Sequence, residues 1–184
     1  EFGKGLDFAA LNRLAGKISP DASDPLFIPH LAGRVSPAWP RLRGAWAGLT
    51  WTHTTGHLYR SILEGVALEY RLYQEALMAL YPRLKVRELR ITGGGEKSAV
   101  WNGIKADALN CRVVQIAAGE GAPMGAALLA GYGVGCLDDL NQAAAKWIAI
   151  GGTTRPNRKL SRLYQDRYRR YVHWLNTMNE WSQT

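Results

Sequence analysis

The sequence predicts an α/β fold in a single domain spanning residues 1–184. Apolar or β-branched runs typical of strands occur at 44–49, 88–92 and 111–117, and a helical pattern follows each of them. Strands that alternate with helices at this spacing are typical of a sheet covered by helices. A length of 184 residues is also ordinary for one domain.

The first forty residues predict one helix and one short strand. A helix is expected over 5–16, closed by Gly16, because glycine is common just after the last turn of a helix. A polar loop over 18–25 and a strand over 26–28 follow. The segment 31–40 contains one glycine and two prolines, which predicts irregular structure.

A long amphipathic helix is predicted after the strand at 44–49. Thr52 or Thr54 can cap its start, and it is expected to end near Tyr81 and Pro82. Apolar residues recur at steps of three and four for about six turns, which predicts that one face is packed. That predicted face consists of Leu58, Ile62, Val66, Tyr70, Tyr73 and Leu77.

Three consecutive glycines at 93–95 separate the strand at 88–92 from a helix over 98–110, for which Ser98 is a suitable N-cap. Without Cβ atoms the backbone can adopt positive φ and come close to a ligand. The unpaired N–H groups at a helix start favour anions, so a nucleotide is one interpretation. A tight turn without any ligand is the other.

Two further glycine patterns do not fit the motifs that they resemble. Residues 95–98 read Gly-Glu-Lys-Ser, whereas a P-loop needs adjacent Gly-Lys-Ser and an earlier glycine. Residues 131–135 contain GxGxG, but they follow a predicted helix over 122–132 rather than a strand. The second pattern therefore predicts a turn at a helix end and not a dinucleotide site.

The last third of the chain predicts two more helices, over 137–147 and 160–176, with a surface loop over 151–157 between them. The net charge of +8 lies largely in the final helix, where arginines alternate with tyrosines. The arginines are Arg162, Arg167, Arg169 and Arg170, and the tyrosines are Tyr164, Tyr168 and Tyr171. This spacing favours a helix with a packed aromatic side and a solvated basic side, while nucleic-acid binding is the alternative.

Other polar residues do not form a recognisable site. His53 and His57 are four residues apart, but no carboxylate or thiol stands at metal-ligand spacing from them, so no metal is expected. Asp107 lies within a predicted helix and is expected to have a structural role. Asp138 and Asp139 are expected to cap the helix that follows.

The sequence has features of an intracellular protein. Cys111 and Cys136 are isolated, so neither a disulfide framework nor a zinc site is predicted. The N-terminus lacks the layout of a signal peptide, and no apolar run reaches the roughly 18 residues of a membrane span. We therefore expect a cytoplasmic location, with neither a membrane nor a nucleic acid as partner.

Three segments together resemble one family. Residues 44–64 read GAWAGLTWTHTTGHLYRSILE, residues 92–98 read TGGGEKS and are followed by Trp101 and Asp107, and residues 120–130 read EGAPMGAALLA. In order and spacing these motifs resemble the C-terminal lobe of the FGGY carbohydrate kinases. Residues that depart from the family pattern are Phe8 in place of Trp, Glu96 in place of Ala and Gly103 in place of Gln.

This resemblance extends over about 26–140 and implies an actin-like, ribonuclease-H-like ATPase lobe. It assigns nucleotide binding to Gly93, Gly94, Gly95 and Ser98, and also to Gly3 and Asp7 at the start of the first helix. Residues 1–25 would form an inter-lobe helix and linker. The N-terminal sugar-binding lobe would be absent, and the exposed lobe face could support a homodimer.

The activity that the resemblance implies is transfer of the γ-phosphate of MgATP to a sugar hydroxyl. ATP and Mg²⁺ are the expected cofactors, the latter held mainly by the absent lobe. The catalytic Asp of the family is expected upstream of residue 1, so no residue of this chain is assigned a catalytic role. Residues 27–34 and 93–98 are most similar to the xylulokinase branch, which implies D-xylulose as substrate and xylulose 5-phosphate as product.

Alternatives remain open. The sugar could be another ketopentose or a polyol, with ribulose, glycerol and gluconate as candidates. The chain could also be a non-catalytic actin-like module that binds a nucleotide or a partner. In either case we expect the chain alone to be inactive as a sugar kinase.

Overall fold

The computed structural model describes residues 5–117 and 121–183. Its elements, in chain order, are α1 Phe8–Gly16, β1 Leu26–Ile28, β2 Ala45–Ala47, α2 Thr55–Leu80, β3 Glu88–Ile91, a 3₁₀ turn Gly94–Lys97, α3 Ala99–Leu109, β4 Arg112–Ile116, α4 Gly121–Gly133, α5 Leu140–Trp147, β5 Ile150–Thr154 and α6 Arg158–Trp181. The predicted α/β alternation is confirmed. None of the helices in the described part of the chain combines the length and apolarity that a membrane crossing needs.

The main sheet has three strands in the order β3-β4-β5. β3 and β4 are parallel, with the 3₁₀ turn and α3 connecting them, and β5 returns antiparallel to β4. A separate two-stranded antiparallel sheet pairs Leu26 with Ala47 and Ile28 with Ala45. The parallel pair places the carboxyl end of β3, and hence the three glycines that follow it, at one edge of the sheet.

The prediction of a surface loop over 151–157 is wrong for its first half. Residues 150–154 form β5, in which Thr153 and Thr154 pair with Val114 and Val113. Gly151 and Gly152 lower the strand propensity of the segment, and most of it is exposed, so it shows no apolar alternation. Backbone pairing with β4 therefore creates a strand that the side chains do not predict.

The packed face of α2 is not the predicted apolar face. Tyr70, Tyr73 and Leu77 are exposed, and the other predicted members are only partly buried. The residues that are buried instead are Gly56, Arg60, Ser61, Leu63, Glu64, Gly65, Ala67, Leu68 and Glu69. Charged side chains can occupy this face because they bond groups on α6 and on the loops beside β1.

The hydrophobic core lies where α2, α3 and α6 meet β1. Leu63, Ala67 and Leu68 of α2 contact one aromatic side of α6, and Ile104 and Ala108 of α3 complete the cluster. The aromatic side of α6 consists of the predicted tyrosines, Tyr164, Tyr168 and Tyr171, together with Leu175. The prediction of a packed aromatic side on this helix is confirmed.

Arg167, which we expected on the solvated basic side of α6, is fully buried. Its Nη2 donates to Glu64 Oε2 at 2.6 Å. Glu64 Oε1 accepts from Arg60 Nε at 2.8 Å and from the Tyr164 hydroxyl at 2.7 Å. The guanidinium of Arg167 also donates to the backbone carbonyls of Asp21, Asp24 and Pro25. Glu64 thus joins α2, α6 and the loop before β1.

A second buried carboxylate, Glu69, lies about one turn further along α2. It accepts hydrogen bonds from the Tyr171 hydroxyl at 2.7 Å and from Arg34 Nη2 at 3.3 Å, and its Oε1 lies 3.1 Å from His30 Nε2. Burial by itself raises the pKa of Glu69. The hydrogen bonds from His30 and Tyr171 and the Arg34 charge outweigh that effect, so its pKa lies below the ordinary value.

Replacing Glu64 with Gln is expected to destabilise the fold by about 3–5 kcal/mol, because Arg60 and Arg167 would remain buried without a counter-charge. The matched control is Glu75→Gln, also on α2, whose side chain is 43% exposed and bonds Arg71 at 3.1 Å. That control should cost less than about 1 kcal/mol. Urea unfolding followed by circular dichroism measures both. Equal losses in the two variants would contradict the central role of Glu64.

Candidate functional site

A cavity of about 820 Å³ opens between α1, the first turns of α2 and the start of α3. Most of its wall is apolar or aromatic. The residues that line it are Phe8, Ala9, Asn12, Arg13, Gly16, Tyr59, Leu63, Gly94, Gly95, Lys97, Ser98, Ala99, Val100 and Trp101. A large apolar cavity with a few converging polar groups is the usual form of a small-molecule site.

The glycine turn forms one wall of this cavity. Gly93 has φ of +90°, a conformation that side chains strongly disfavour, and the 3₁₀ turn Gly94–Lys97 begins directly after it. A Cβ built on Gly94 meets no atom within 4 Å. A Cβ built on Gly95 lies 2.5 Å from the Trp101 ring. Gly94 therefore leaves space open at the cavity wall, whereas Gly95 is needed for packing.

Ser98 connects two walls of the cavity. Its hydroxyl oxygen accepts from the Trp101 N–H at 3.2 Å, which confirms the predicted N-cap of α3. The same hydroxyl donates to Asn12 Oδ1 on α1 at 2.6 Å. At the other end of α3, Asn110 adopts a left-handed conformation with φ of +49°, as expected of a residue that stops a helix.

Of the two predicted site residues at the start of the chain, the structure describes Asp7. The Asp7 carboxylate accepts from the Ala10 N–H at 2.6 Å and caps α1, so α1 begins at Phe8 rather than at residue 5. Asp7 is not among the residues that line the cavity. Gly3 lies outside the described residues. The next residues of α1, Phe8 and Asn12, reach the cavity instead.

Of the predicted nucleotide-binding residues, Gly94, Gly95 and Ser98 line the cavity together, and Gly93 sets the backbone turn before them. The sequence did not single out Asn12, Arg13 or Tyr59. Their faces become adjacent only when α1 and α2 pack, and no local motif marks them. Asn12 lies four residues after Phe8 on α1, so the two residues share one face of that helix. This spacing could have indicated Asn12 once Phe8 was known to line the cavity.

Behind the turn lies a polar cluster that faces away from the cavity. The backbone carbonyl of Glu96 accepts from Asn102 Nδ2 at 2.7 Å and from Gln115 Nε2 at 2.8 Å. Lys105 is buried, and burial lowers its pKa to about 8, against the opposing effect of the Glu96 charge. Its Nζ lies 4.0 Å from the centre of the Trp101 ring, within the range of a cation–π contact.

The remaining polar candidates have structural partners. His57 Nδ1 accepts from the Thr54 N–H at 3.2 Å at the start of α2. Asp107 Oδ1 accepts from the Asn157 N–H at 2.7 Å and so fixes the start of α6. Asp139 caps α5. Across residues 5–117 and 121–183, no group of three or more His, Cys, Asp or Glu side chains could hold a metal ion.

Residues 6–134 match the family model of the FGGY family of carbohydrate kinases, C-terminal domain. The chain belongs to this family. It is 30% identical over 165 residues to the xylulose kinase of Staphylococcus epidermidis (strain ATCC 35984), covering 89% of this chain and 33% of that protein. It is 34% identical over 155 residues to the gluconokinase of Bacillus subtilis, covering 82% of this chain and 29% of that protein.

The FGGY assignment extends to the three-dimensional structure. The crystal structure of xylulose kinase from Rhodospirillum rubrum superposes with a TM-score of 0.80 at 27% identity, covering 96% of this chain and 35% of that one. The predicted actin-like, ribonuclease-H-like fold is confirmed, and so is the resemblance to the C-terminal lobe. The chain spans about a third of the length of these FGGY relatives.

Gly95→Ala should destabilise the chain by about 1–3 kcal/mol, because the new methyl group overlaps the Trp101 ring. That ring cannot move away freely, since its indole N–H donates to the Leu63 carbonyl at 3.0 Å. Gly94→Ala, where the methyl group enters open space, should change stability by less than about 0.5 kcal/mol. Urea unfolding of both variants checks the difference. A stable Gly95→Ala variant would show that the packing of Trp101 is not constraining.

Proposed function

We propose that this chain is the nucleotide-holding lobe of an ATP-dependent carbohydrate kinase. The observation that carries the proposal is a run of three glycines before a capped helix, of which Gly94 and Gly95 line a large apolar cavity. The N–H groups in the first turn of a helix have no acceptor within the helix, so those that the Ser98 cap does not occupy are available to a ligand. Membership of the FGGY family supports the same proposal.

The cavity suits the two halves of a nucleotide. Its apolar and aromatic wall, which includes Tyr59 and Val100, offers a surface for a flat base. Arg13 and Lys97, at the same cavity, offer positive charge for phosphates. The open space at Gly94 would let the sugar or phosphate of the ligand come close to the backbone. ATP and ADP are the ligands that we assign to it.

Bound Mg²⁺ would neutralise phosphate charge during transfer of the γ-phosphate. Among the residues that the structure describes, those that line the cavity include no Asp or Glu, so they offer no carboxylate as a magnesium ligand or as a base for a sugar hydroxyl. We therefore assign to this chain the binding and orientation of the nucleotide. The catalytic Asp, the magnesium ligands and the sugar site would belong to an N-terminal lobe outside residues 1–184.

For the sugar we propose D-xylulose, phosphorylated to xylulose 5-phosphate. Support comes from the similarity to proteins named xylulose kinase in both sequence and structure. Gluconate is the second candidate, because a gluconokinase is 34% identical over a similar span. Ribulose and glycerol remain further candidates. Comparing the phosphorylation rates of these sugars by the complete two-lobed protein decides among them.

A non-catalytic nucleotide-binding module is the alternative function. Among the described residues, those that line the cavity could bind a nucleotide without supplying a carboxylate base. Both functions require a nucleotide in the same cavity, so a binding measurement tests what they share. Sugar-dependent turnover then separates them.

The purified chain is expected to bind MgADP in isothermal titration calorimetry. Gly94→Ala should weaken that binding by about tenfold or more without unfolding the chain, because its methyl group enters the space assigned to the ligand. The matched control is Gly103→Ala in α3, where a Cβ also meets nothing within 4 Å and which does not line the cavity. It should bind MgADP normally. Unchanged affinity in Gly94→Ala would remove the glycine turn from the site.

The chain alone is expected to release no ADP from MgATP in response to D-xylulose, because none of the described residues that line the cavity is a carboxylate. A coupled ADP-release assay with and without the sugar measures this. The positive control is a complete xylulose kinase assayed in parallel. Sugar-dependent ADP release by the 184-residue chain would overturn the division of roles between two lobes.

A further inference from the structure

The polar cluster behind the glycine turn has a feature that the cavity does not explain. The carboxylate oxygen Oε2 of Glu96 is buried and has no hydrogen-bond partner in the part of the chain that the structure describes. The Glu96 backbone carbonyl, in contrast, accepts from both Asn102 and Gln115. An unpaired buried carboxylate is unfavourable unless a positive charge acts on it. Glu96 belongs to the 3₁₀ turn itself, so whatever holds it also holds the turn.

Lys105 supplies that charge. It lies on α3, is only 3% exposed, and its Nζ donates to Asn102 Oδ1 at 3.3 Å. Asn102 connects Lys105 to the turn, because its Nδ2 donates to the Glu96 carbonyl. The ammonium also faces the ring of Trp101, the residue that packs over Gly95. Lys105 is therefore connected to the turn by three routes: the Asn102 amide, the Trp101 ring and the Glu96 charge.

We propose that Lys105 is a positioning residue for the nucleotide, which fixes the glycine turn through Asn102, Trp101 and Glu96, so that nucleotide affinity depends on whether its amine carries a charge. This inference rests on the proposed function, because it assigns a nucleotide to the cavity. Lys105 does not line the cavity, so it would act through the turn and not by touching the ligand.

The charge state of Lys105 can change under mild conditions. Burial lowers its pKa to about 8, and the negative charge of Glu96 opposes this shift. At neutral pH the amine is mostly protonated, and above about pH 8 it becomes neutral and loses its attraction for Glu96 and for the Trp101 ring. The turn should then be held less firmly, and nucleotide affinity should fall as pH rises through this value.

No other charge acts on Lys105 among the described residues to a resolved extent. Ionisable side chains on the elements packed against α3 have partners of their own, are exposed or, as for Tyr59, are kept uncharged because burial raises their pKa. In α2, Arg60 bonds Glu64 and Arg71 bonds Glu75. In α6, Tyr164 bonds Glu64, and on the sheet Arg112 bonds Glu88. Arg13 on α1 is exposed. Lys105 is therefore the group that titrates here, and the Glu96 charge acts on it.

A purely structural role for Lys105 predicts different behaviour. If only its aliphatic stem mattered for the turn, Lys105→Met would bind MgADP as the wild-type chain does at every pH. If its charge is retained for the turn, the fold carries a penalty, because burial disfavours the ammonium. The folded pKa lies below the unfolded one, so wild-type stability should rise with pH between about 8 and 10.5. Lys105→Met should lack that rise and should be at least as stable at pH 7.

The test follows the turn with and without ligand. The Hα–Cα NMR signals of Gly94 and Gly95, whose protons do not exchange with water, are recorded in the ligand-free chain from pH 7 to 10, and MgADP affinity is measured over the same range. Phosphate groups are already ionised above pH 7, so the ligand contributes no titration there. The variants are Lys105→Met, Glu96→Gln and, as a control for loss of a surface charge, the exposed Lys146→Met on α5.

In the wild-type chain we expect the Gly94 and Gly95 signals to titrate with a midpoint near pH 8, and MgADP binding to weaken about three- to tenfold across it. Lys105→Met should abolish both changes and bind MgADP at pH 7 as weakly as the wild type does at high pH. Glu96→Gln should move the midpoint to lower pH, because the charge that supports the ammonium is gone. Lys146→Met should behave as the wild type.

Each contrary result has a distinct meaning. If the wild-type chain binds no MgADP at any pH, the proposed function falls, and this inference falls with it. If MgADP binds with an affinity that does not change with pH, or if Lys105→Met keeps the wild-type pH profile, Lys105 has no positioning role and the proposed function stands. If Lys105→Met does not fold, the direction of the shift in Glu96→Gln decides between these outcomes.

Discussion

The structure depends on one buried carboxylate, Glu64. It is 1% exposed, and it accepts bonds from Arg60, Arg167 and Tyr164, so it draws together two long helices that are distant in the chain. A lone buried carboxylate would destabilise the fold, whereas one with two guanidinium partners and a hydroxyl is compensated. The position of α6 over α2, and with it the aromatic core, follows from this arrangement. Helix α2 also forms part of the cavity wall, through Tyr59 and Leu63, which precede Glu64 on this helix.

Much of the fold could be predicted from the sequence because the signals are local. The N-cap at Ser98, the left-handed stop at Asn110 and the glycines after β3 each follow from the conformational preference of one or two residues. β5 could not be predicted in this way, because its pairing with β4 comes from the backbone. The prediction of the buried face of α2 was wrong for a related reason. A prediction from periodicity places apolar residues on the buried face. It does not account for Arg60 and Glu64, which can be buried because they bond partners on α6.

The candidate site, too, could be predicted from the sequence only in part. Its glycines are visible in the sequence as a run of three, and family resemblance gives them a ligand class. Asn12 and Tyr59 reach the cavity from other helices, so only the packed structure shows them. The assignment of Asp7 to nucleotide binding stays a prediction from the resemblance; in the structure its carboxylate caps α1. A residue adjacent to a site along the chain can support the site by starting the helix that reaches it.

The hydrogen bond between Ser98 and Asn12 gives the cavity a preset width. This bond joins the opposing helices in the absence of a ligand. A ligand would therefore bind to walls that are already ordered, and little conformational entropy would be lost in ordering them. A displacement of α1 relative to α3 would have to break this bond, so the shape of the cavity mouth is coupled to the position of the N-terminal helix.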